Sequence, residues 1–371
     1  MDAVTERRAP NWGRVARRLL AWVVLGVPAA LVLTLAASSD ARYLARAGCE
    51  EARILLKRRP IRKLVADART PAALRERLDL VLAARAYAAD SLHLSAGRTY
   101  TTYADVKRDT LLLVLTASPR DRLREYTWIY PIVGAVPYKG FFDFARAREA
   151  AAELAQAGYD IYLRPASAFS TLGYFSDPLL STAVSRDTME LVATVLHELA
   201  YNTLYVKGHT AFDVSFASFV GYRGAQAFFR SRRDTIDAAR AAARWRDERT
   251  LDVFYAELGR RLDSAYAGDS PAAVERARAI LFRWARAQLT GPVGQSLETY
   301  DWRWFAAAPL NNAVVIAQRL YRMNLNLFDE IYLQNDADIA ETIRAIEVRV
   351  FTQPGQDPYQ ALYSRPGLPA D

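Results

Sequence analysis

Residues 197–201 read His-Glu-Leu-Ala-Tyr. In an α-helix, residues four apart lie on the same face, so two histidines at this spacing can bind one zinc ion. A glutamate next to the first histidine then takes the proton from the zinc-bound water during peptide hydrolysis. Here His197 and Glu198 are present, but Tyr201 stands where the second histidine would be. A phenol, with an ordinary pKa near ~10, is a poor zinc ligand at neutral pH.

The surrounding sequence predicts a helix that carries this pentapeptide. Asp187 followed three residues later by Glu190 is typical of a helix N-terminus. Apolar residues then recur at helical spacing as far as Leu199, and Gly208 indicates the end of the helix. The pentapeptide alone also fits a His-Glu pair without any chemical role, because so short a pattern occurs by chance.

Longer segments on both sides of the pentapeptide carry more information. They are residues 133–140, 159–162, 170–180, 203–208, 210–217 and 311–313. Together they resemble the bacterial putative aminopeptidase family, a group of predicted gluzincin-like zinc peptidases of the cell envelope. The resemblance extends from about residue 41 to residue 350. It implies an α+β fold, in which a mostly helical zincin-like domain carries a small β-sheet.

The resemblance also implies a set of zinc ligands, from which this chain departs. The family pattern reads HELAH, followed by a segment like FNESFA whose glutamate would be the third ligand. Carried over, Glu198 is the general base and His197 is the one ligand that remains, while Tyr201 and Val214 replace the other two. A catalytic zinc site needs three protein ligands and a water. We therefore expect no zinc cofactor and a pseudoenzyme that binds peptides.

An active metalloaminopeptidase with an atypical zinc site is the alternative. His209 follows the pentapeptide, and Asp213 opens the next predicted helix. With a rearranged turn, His197 and either of these residues would hold zinc, and Glu198 would act as the base. The plainer interpretation makes His209 a turn residue and Asp213 an acid favoured by the helix dipole. Without zinc, a hydrogen bond from Tyr201 to Glu198 would close the site.

The N-terminus predicts attachment to a membrane. Residues 1–18 contain five arginines and two acids, and residues 19–38 are apolar and uncharged. A segment of this length can span a bilayer as a helix. The basic flank predicts a cytoplasmic N-terminus and a periplasmic bulk, anchored in the inner membrane. Small residues at 36–38 leave a cleaved signal peptide as the alternative.

The composition of the chain indicates its domain organisation and the partners that it can bind. The chain has 371 residues, of which 51% are hydrophobic, so it can bury a sizeable core. We expect one domain over residues 41–350 and an irregular C-terminal tail over residues 351–371. The net charge is +8, but the arginines are interleaved with acids along predicted helices. This pattern is typical of solvated helix faces, so nucleic acid is not an expected partner. Anionic lipid headgroups beside the anchor are an expected partner.

The periodicity also gives a coarse order of elements. Strands are predicted at 110–116, 125–134 and 159–164, before a long helical part. By analogy with zinc peptidases, which the resemblance implies, the stretch 166–174 would provide an edge strand that binds an extended peptide by strand addition, and the plainer interpretation is an ordinary strand and turn. Helices are predicted at 41–58, 71–90, 141–157, 187–207, 211–231, 233–265, 271–289, 310–323 and 336–350.

Overall fold

The computed structural model describes residues 39–130, 134–166, 178–185, 187–268 and 270–363. The chain divides into two compact units, residues 1–53 and 54–371. In the first unit the described residues, 39–53, are helical, and Cys49 is exposed there. The basic flank 1–18 and the predicted membrane segment 19–38 lie outside the described residues. None of the helices that are described has the length and apolar character needed to cross a membrane.

The described strands of the second unit form small sheets. They are β1 (Arg59–Pro60), β2 (Thr102–Ala104), β3 (Leu112–Pro119), β4 (Trp128–Tyr130), β5 (Gly134–Val136), β6 (Lys139–Phe141), β7 (Tyr159–Ala166) and β8 (Leu179–Leu180). One sheet has the order β1-β2-β8 and another the order β6-β3-β7, in which β3 runs antiparallel to both neighbours. The strands predicted at 110–116 and 159–164 are confirmed. The single strand predicted at 125–134 is wrong, because β4 and β5 pair there as a hairpin.

Helices make up most of the described chain, so the predicted α+β class is confirmed. Residue 325 begins a helix that the periodicity did not predict. The helices are α1 (Ser39–Lys57), α2 (Ile61–Ala66), α3 (Ala72–Asp90), α4 (Phe144–Gln156), α5 (Ser181–Val184), α6 (Thr188–Thr203), α7 (Thr210–Ser231), α8 (Thr235–Tyr266), α9 (Pro271–Thr290), α10 (Pro292–Gln295), α11 (Trp304–Ala307), α12 (Asn312–Tyr321), α13 (Leu325–Gln334), α14 (Ile339–Phe351) and α15 (Pro358–Tyr363).

The main core is built around the pair α6 and α7. Phe216 and Phe219 of α7 are fully buried and pack near Phe328 of α13. The two helices approach closely at Gly221: a Cβ there would lie 2.9 Å from the carbonyl oxygen of Ala193. The same atom would lie 3.3 Å from Cβ of His197. A glycine at 221 therefore lets α7 approach the turn of α6 that carries the pentapeptide.

A buried ionic network ties α6 to α8 and to the end of α12. Arg244 lies 3.0 Å from Oε1 of Glu190, two turns before the pentapeptide, and 3.6 Å from Glu248. Glu248 also accepts a hydrogen bond from the hydroxyl of Tyr300 at 2.6 Å, and its other oxygen lies 2.6 Å from Nε of Arg322. We call these five residues the Glu248 network. It fixes the start of α6 against helices distant in sequence.

The C-terminal part corrects one prediction. Residues 351–371 were expected to be irregular, but α15 forms at Pro358–Tyr363. Tyr359 and Leu362 are buried in the main core. The hydroxyl of Tyr359 donates to the carbonyl oxygen of Met323 at 2.9 Å. Two apolar side chains spaced three residues apart thus give this short helix a buried face.

Candidate functional site

Helix α6 presents the pentapeptide in its last two turns. Its start follows the predicted capping pattern: the side chain of Asp187 accepts a hydrogen bond from the backbone N–H of Glu190 at 3.0 Å. The side chain of Glu190 does not return to the cap; it pairs with Arg244 in the Glu248 network. The helix ends at Thr203, so the predicted end at Gly208 is wrong by about one turn.

His197 and Tyr201 share one face of α6, as their spacing predicts. Their ring centroids lie 5.3 Å apart, with an angle of 71° between the ring planes. This is an edge-to-face aromatic contact, which favours the observed orientation of both rings. The tyrosine ring therefore takes the place, beside His197, that a second imidazole would occupy.

The phenol of Tyr201 stays protonated at neutral pH. Burial raises its pKa above the ordinary value, and the negative charge of Glu198 raises it further. Asp213 and the phenols of Tyr321 and Tyr138 act in the same direction. A phenolate ligand is thus disfavoured here, whereas a neutral hydroxyl close to a carboxylate is favoured.

Val214 lies in the second turn of α7, where the resemblance implies a ligand glutamate. Its side chain is 7% exposed. An isopropyl group has no lone pair for a metal. Its burial contributes only to the packing of the core. The positions carried over for the second and third ligands thus hold a protonated phenol and an aliphatic group.

Asp213, next to Val214, is a buried carboxylate with uneven surroundings. It is 1% exposed, and its Oδ1 accepts a hydrogen bond from the backbone N–H of Val206 at 2.8 Å. Its Oδ2 is buried and accepts no hydrogen bond from the residues that are described. Burial raises the pKa of this carboxyl to about 7, against the opposing effect of the Val206 N–H.

His209 is the residue that precedes α7. Its Nδ1 lies 3.6 Å from Oδ2 of Asp357, and both side chains are partly exposed. The structure thus engages His209 with Asp357, and Asp213 with Val206. Within the described ranges, no group of three or more His, Cys, Asp or Glu side chains could hold a metal ion. Of the three ligand positions that the resemblance implies, the described site keeps the imidazole of His197 alone.

Sequence reasoning missed the groups that face the pentapeptide from other elements. Tyr321, the last residue of α12, is close enough to Tyr201 to affect its pKa. The guanidinium of Arg164 on β7 donates to the hydroxyl of Tyr321 at 2.7 Å and lies 5.1 Å from the centre of its ring. No local pattern marks either residue, because the contact joins positions that are far apart in the chain.

A family model described as "Putative aminopeptidase" matches residues 42–355. The match covers most of the chain, including β7 and the pair α6 and α7. The chain therefore belongs to this family, and the family resemblance predicted from the sequence is confirmed. No curated protein and no solved structure matches the chain.

Proposed function

We propose that this protein is an envelope member of the family, anchored in the inner membrane by residues 19–38, with its bulk in the periplasm. In this proposal its zinc site is lost and the site binds peptides without hydrolysing them. The observation that carries the proposal is the pair of replacements on two packed helices, Tyr201 on α6 and Val214 on α7. A chance change at one position would spare the other ligand, whereas here both are replaced.

The chemistry of the remaining groups supports the loss of metal. His197 offers a single imidazole, and three protein ligands are the minimum for a catalytic zinc site. Glu198 is half-buried, and a carboxylate in such a place is stabilised by a hydrogen-bond donor when no metal neutralises it. We expect the protonated hydroxyl of Tyr201 to donate to Glu198 and so close a metal-free, zincin-like site.

Strand β7 supports peptide binding as the function of the site. Within the described part of the sheet, β7 pairs with β3 alone, and Nδ2 of Asn311 donates to the carbonyl oxygen of Ile161 at 2.9 Å. At one end of β7, the Asn311 side chain thus already occupies a main-chain acceptor of the edge. An extended peptide can add to the rest of such an edge through main-chain hydrogen bonds. The predicted edge near residues 166–174 lies largely outside the described residues.

The test compares metal content in the full-length native protein and in the variant Tyr201→His with Val214→Glu. We expect little zinc in the native protein and nearly stoichiometric zinc in the double variant. At zinc concentrations ~100-fold above Kd, bound metal should stabilise that variant by about 2.7 kcal/mol. The two single variants are the matched controls and should bind zinc weakly. Fluorescence anisotropy with labelled unstructured peptides tests whether the native protein binds peptides.

Two results would overturn the proposal. One is stoichiometric zinc in the native protein. The other is hydrolysis of peptides by the native protein that the Glu198→Gln substitution abolishes.

An active metallopeptidase is the second candidate, and the buried Oδ2 of Asp213 favours it. An oxygen without a hydrogen-bond donor is free to face a cation, and His197 and His209 are the imidazoles nearest to it in sequence. In that case native zinc would be lost in Asp213→Asn or in His209→Ala. If neither variant changes the metal content or the activity, this candidate fails.

A further inference from the structure

A short basic segment lies at the start of the second unit. Residues 57–63 read Lys-Arg-Arg-Pro-Ile-Arg-Lys, with five cations and no acid. All five charged side chains are exposed. We call the set the basic face: Lys57, Arg58, Arg59, Arg62 and Lys63.

The fold turns these cations outward through two elements. Arg59 lies on β1, which pairs with β2 and is exposed. Helix α2 follows directly and buries Ile61 and Leu64 in the main core. The intervening Arg62 and Lys63 are therefore directed to solvent, because they lie on the opposite side of the same turn. The apolar anchors of α2 thus fix the basic face on a structured surface.

Little in the described chain neutralises the basic face. The one ion pair seen there joins Arg59 to Asp67 at 4.0 Å, and Asp67 is already held by Arg69 at 3.0 Å. Exposed pairs at such distances stabilise a fold very little. Burial lowers the pKa of Arg85, and the positive charge of Arg62 lowers it further. Like charges are thus held close together at this surface.

A structural role accounts for only part of this charge. Lys57 is the last residue of α1, where a cation is favoured by the helix dipole. Arg59 has the weak pair with Asp67. Arg58, Arg62 and Lys63 make no ion pair or side-chain hydrogen bond with the residues that the structure describes. An anionic partner would neutralise these three side chains.

Two observations favour a lipid surface over a polynucleotide. Leu56, directly before the first cation, is 86% exposed. An exposed leucine beside basic residues is typical of surfaces that insert at the boundary between headgroups and acyl chains. The second observation is the short separation in sequence from the apolar segment 19–38. Only the nineteen residues of α1 lie between that segment and Arg58.

We propose that Leu56 and the basic face dock on an anionic bilayer, with the cations on lipid phosphates and Leu56 in the interface. This deepens the proposed membrane attachment, and it is independent of the state of the zinc site.

The test places a fluorophore next to the basic face in the full-length protein. Ala66 is exposed and lies four residues after Arg62 on α2, so it shares that face. A Cys49→Ser, Ala66→Cys protein is labelled and reconstituted in nanodiscs that carry a lipid-borne quencher. We expect stronger quenching when a third of the phosphatidylcholine is replaced by phosphatidylglycerol, and reversal of this gain by high salt. Glutamine at all five cations should reduce the docked population at least about tenfold.

A matched variant separates this effect from net charge. It carries glutamine at five other exposed arginines and should quench like the parent. These are Arg148, Arg230, Arg276, Arg283 and Arg344. Equal quenching in neutral and anionic discs overturns the proposal, as does equal loss in both variants. A response to duplex DNA without a response to lipid assigns the surface to polynucleotides instead.

The two membrane proposals fail separately in this design. A protein retained only by anionic discs supports docking and contradicts the anchor. A protein held in both kinds of disc, with no anionic gain in quenching, keeps the anchor and contradicts docking. A protein retained by neither contradicts both.

Discussion

Glu248 and Asp213 are both buried carboxylates, but their surroundings differ. Glu248 is 6% exposed, and both of its oxygens have partners, the hydroxyl of Tyr300 on one and the guanidinium of Arg322 on the other. Asp213 is 1% exposed, and one oxygen accepts from Val206 while the other lacks a hydrogen bond within the described residues.

The difference separates a structural ionic group from a group in a candidate site. A buried ion pair is retained when the attraction between its members offsets their desolvation. A buried oxygen without a donor costs about 1–3 kcal/mol, so its persistence in a fold calls for an explanation. Asp213 adjoins the position where the family pattern places a zinc ligand. The unmatched oxygen of Asp213 therefore marks this carboxylate, and not Glu248, as the one whose protonation should affect stability.

The largest expected effect is the disruption of the Glu248 network. Glu248→Gln keeps the shape of the side chain but removes the charge that faces Arg244 and Arg322. Loss of one partner from a buried ion pair costs about 3–5 kcal/mol, which urea denaturation at neutral pH would measure. Glu257→Gln is the control, because Glu257 pairs with Arg261 at the surface. Equal stability of the two variants would show that the network is not structural.

A smaller, pH-dependent effect is expected at Asp213. Burial raises the pKa of this carboxyl from 3.8 to about 7. The folded protein keeps a proton that the unfolded chain has released, so the free energy of unfolding falls as the pH rises from about 4 to about 7. Asp213→Asn removes this dependence. At pH ~8 it should gain roughly 2–3 kcal/mol relative to its effect at pH ~5, because about two pH units lie between pH 5 and the pKa of the folded state, each worth about 1.4 kcal/mol.

Denaturation curves of the native protein and of Asp213→Asn, taken at both pH values, measure this difference. Parallel pH profiles would mean that Asp213 titrates normally, and the contrast with Glu248 would disappear. Asp357→Asn is a suitable control, since this carboxylate is partly exposed.

The smallest effect is expected for Tyr201→Phe. The substitution keeps the ring against His197 and removes the hydroxyl that we propose donates to Glu198. Loss of one such hydrogen bond should cost about 1 kcal/mol, measured by thermal or urea unfolding. Tyr205→Phe, at a tyrosine that is 57% exposed, provides the baseline. A loss no greater than this baseline would indicate that Glu198 has another partner.

Local signals predicted the frame of the site. The acid at 187 and the glutamate at 190 marked the start of α6, and the residue spacing placed His197 and Tyr201 on one face. The end of α6 was not predictable in the same way. The carboxylate of Asp213 accepts a hydrogen bond from the backbone N–H of Val206. A residue of the next helix therefore fixes the turn that follows α6.

Helix α13 shows the same limit more clearly. It begins at Leu325 after Asn324, whose φ is 54° and whose side chain makes no capping hydrogen bond. The missing cap is supplied from α8, where Oδ2 of Asp252 accepts from the backbone N–H of Leu325 at 2.7 Å. A sequence signal for this helix start therefore lies on another helix. The contact of Arg164 with Tyr321 was hidden for the same reason, since it exists only after folding.

Gly221 makes the pair α6 and α7 a template for protein engineering. A Cβ at this position would lie 2.9 Å from a backbone oxygen of α6, so the spacing of the two helices is set by the backbone. New side chains placed on the two helices would meet across a spacing that the core already maintains. A designer can therefore vary a few positions on this pair, such as 201, 213 and 214, and screen for new metals or ligands while Gly221 keeps the two helices at their present spacing.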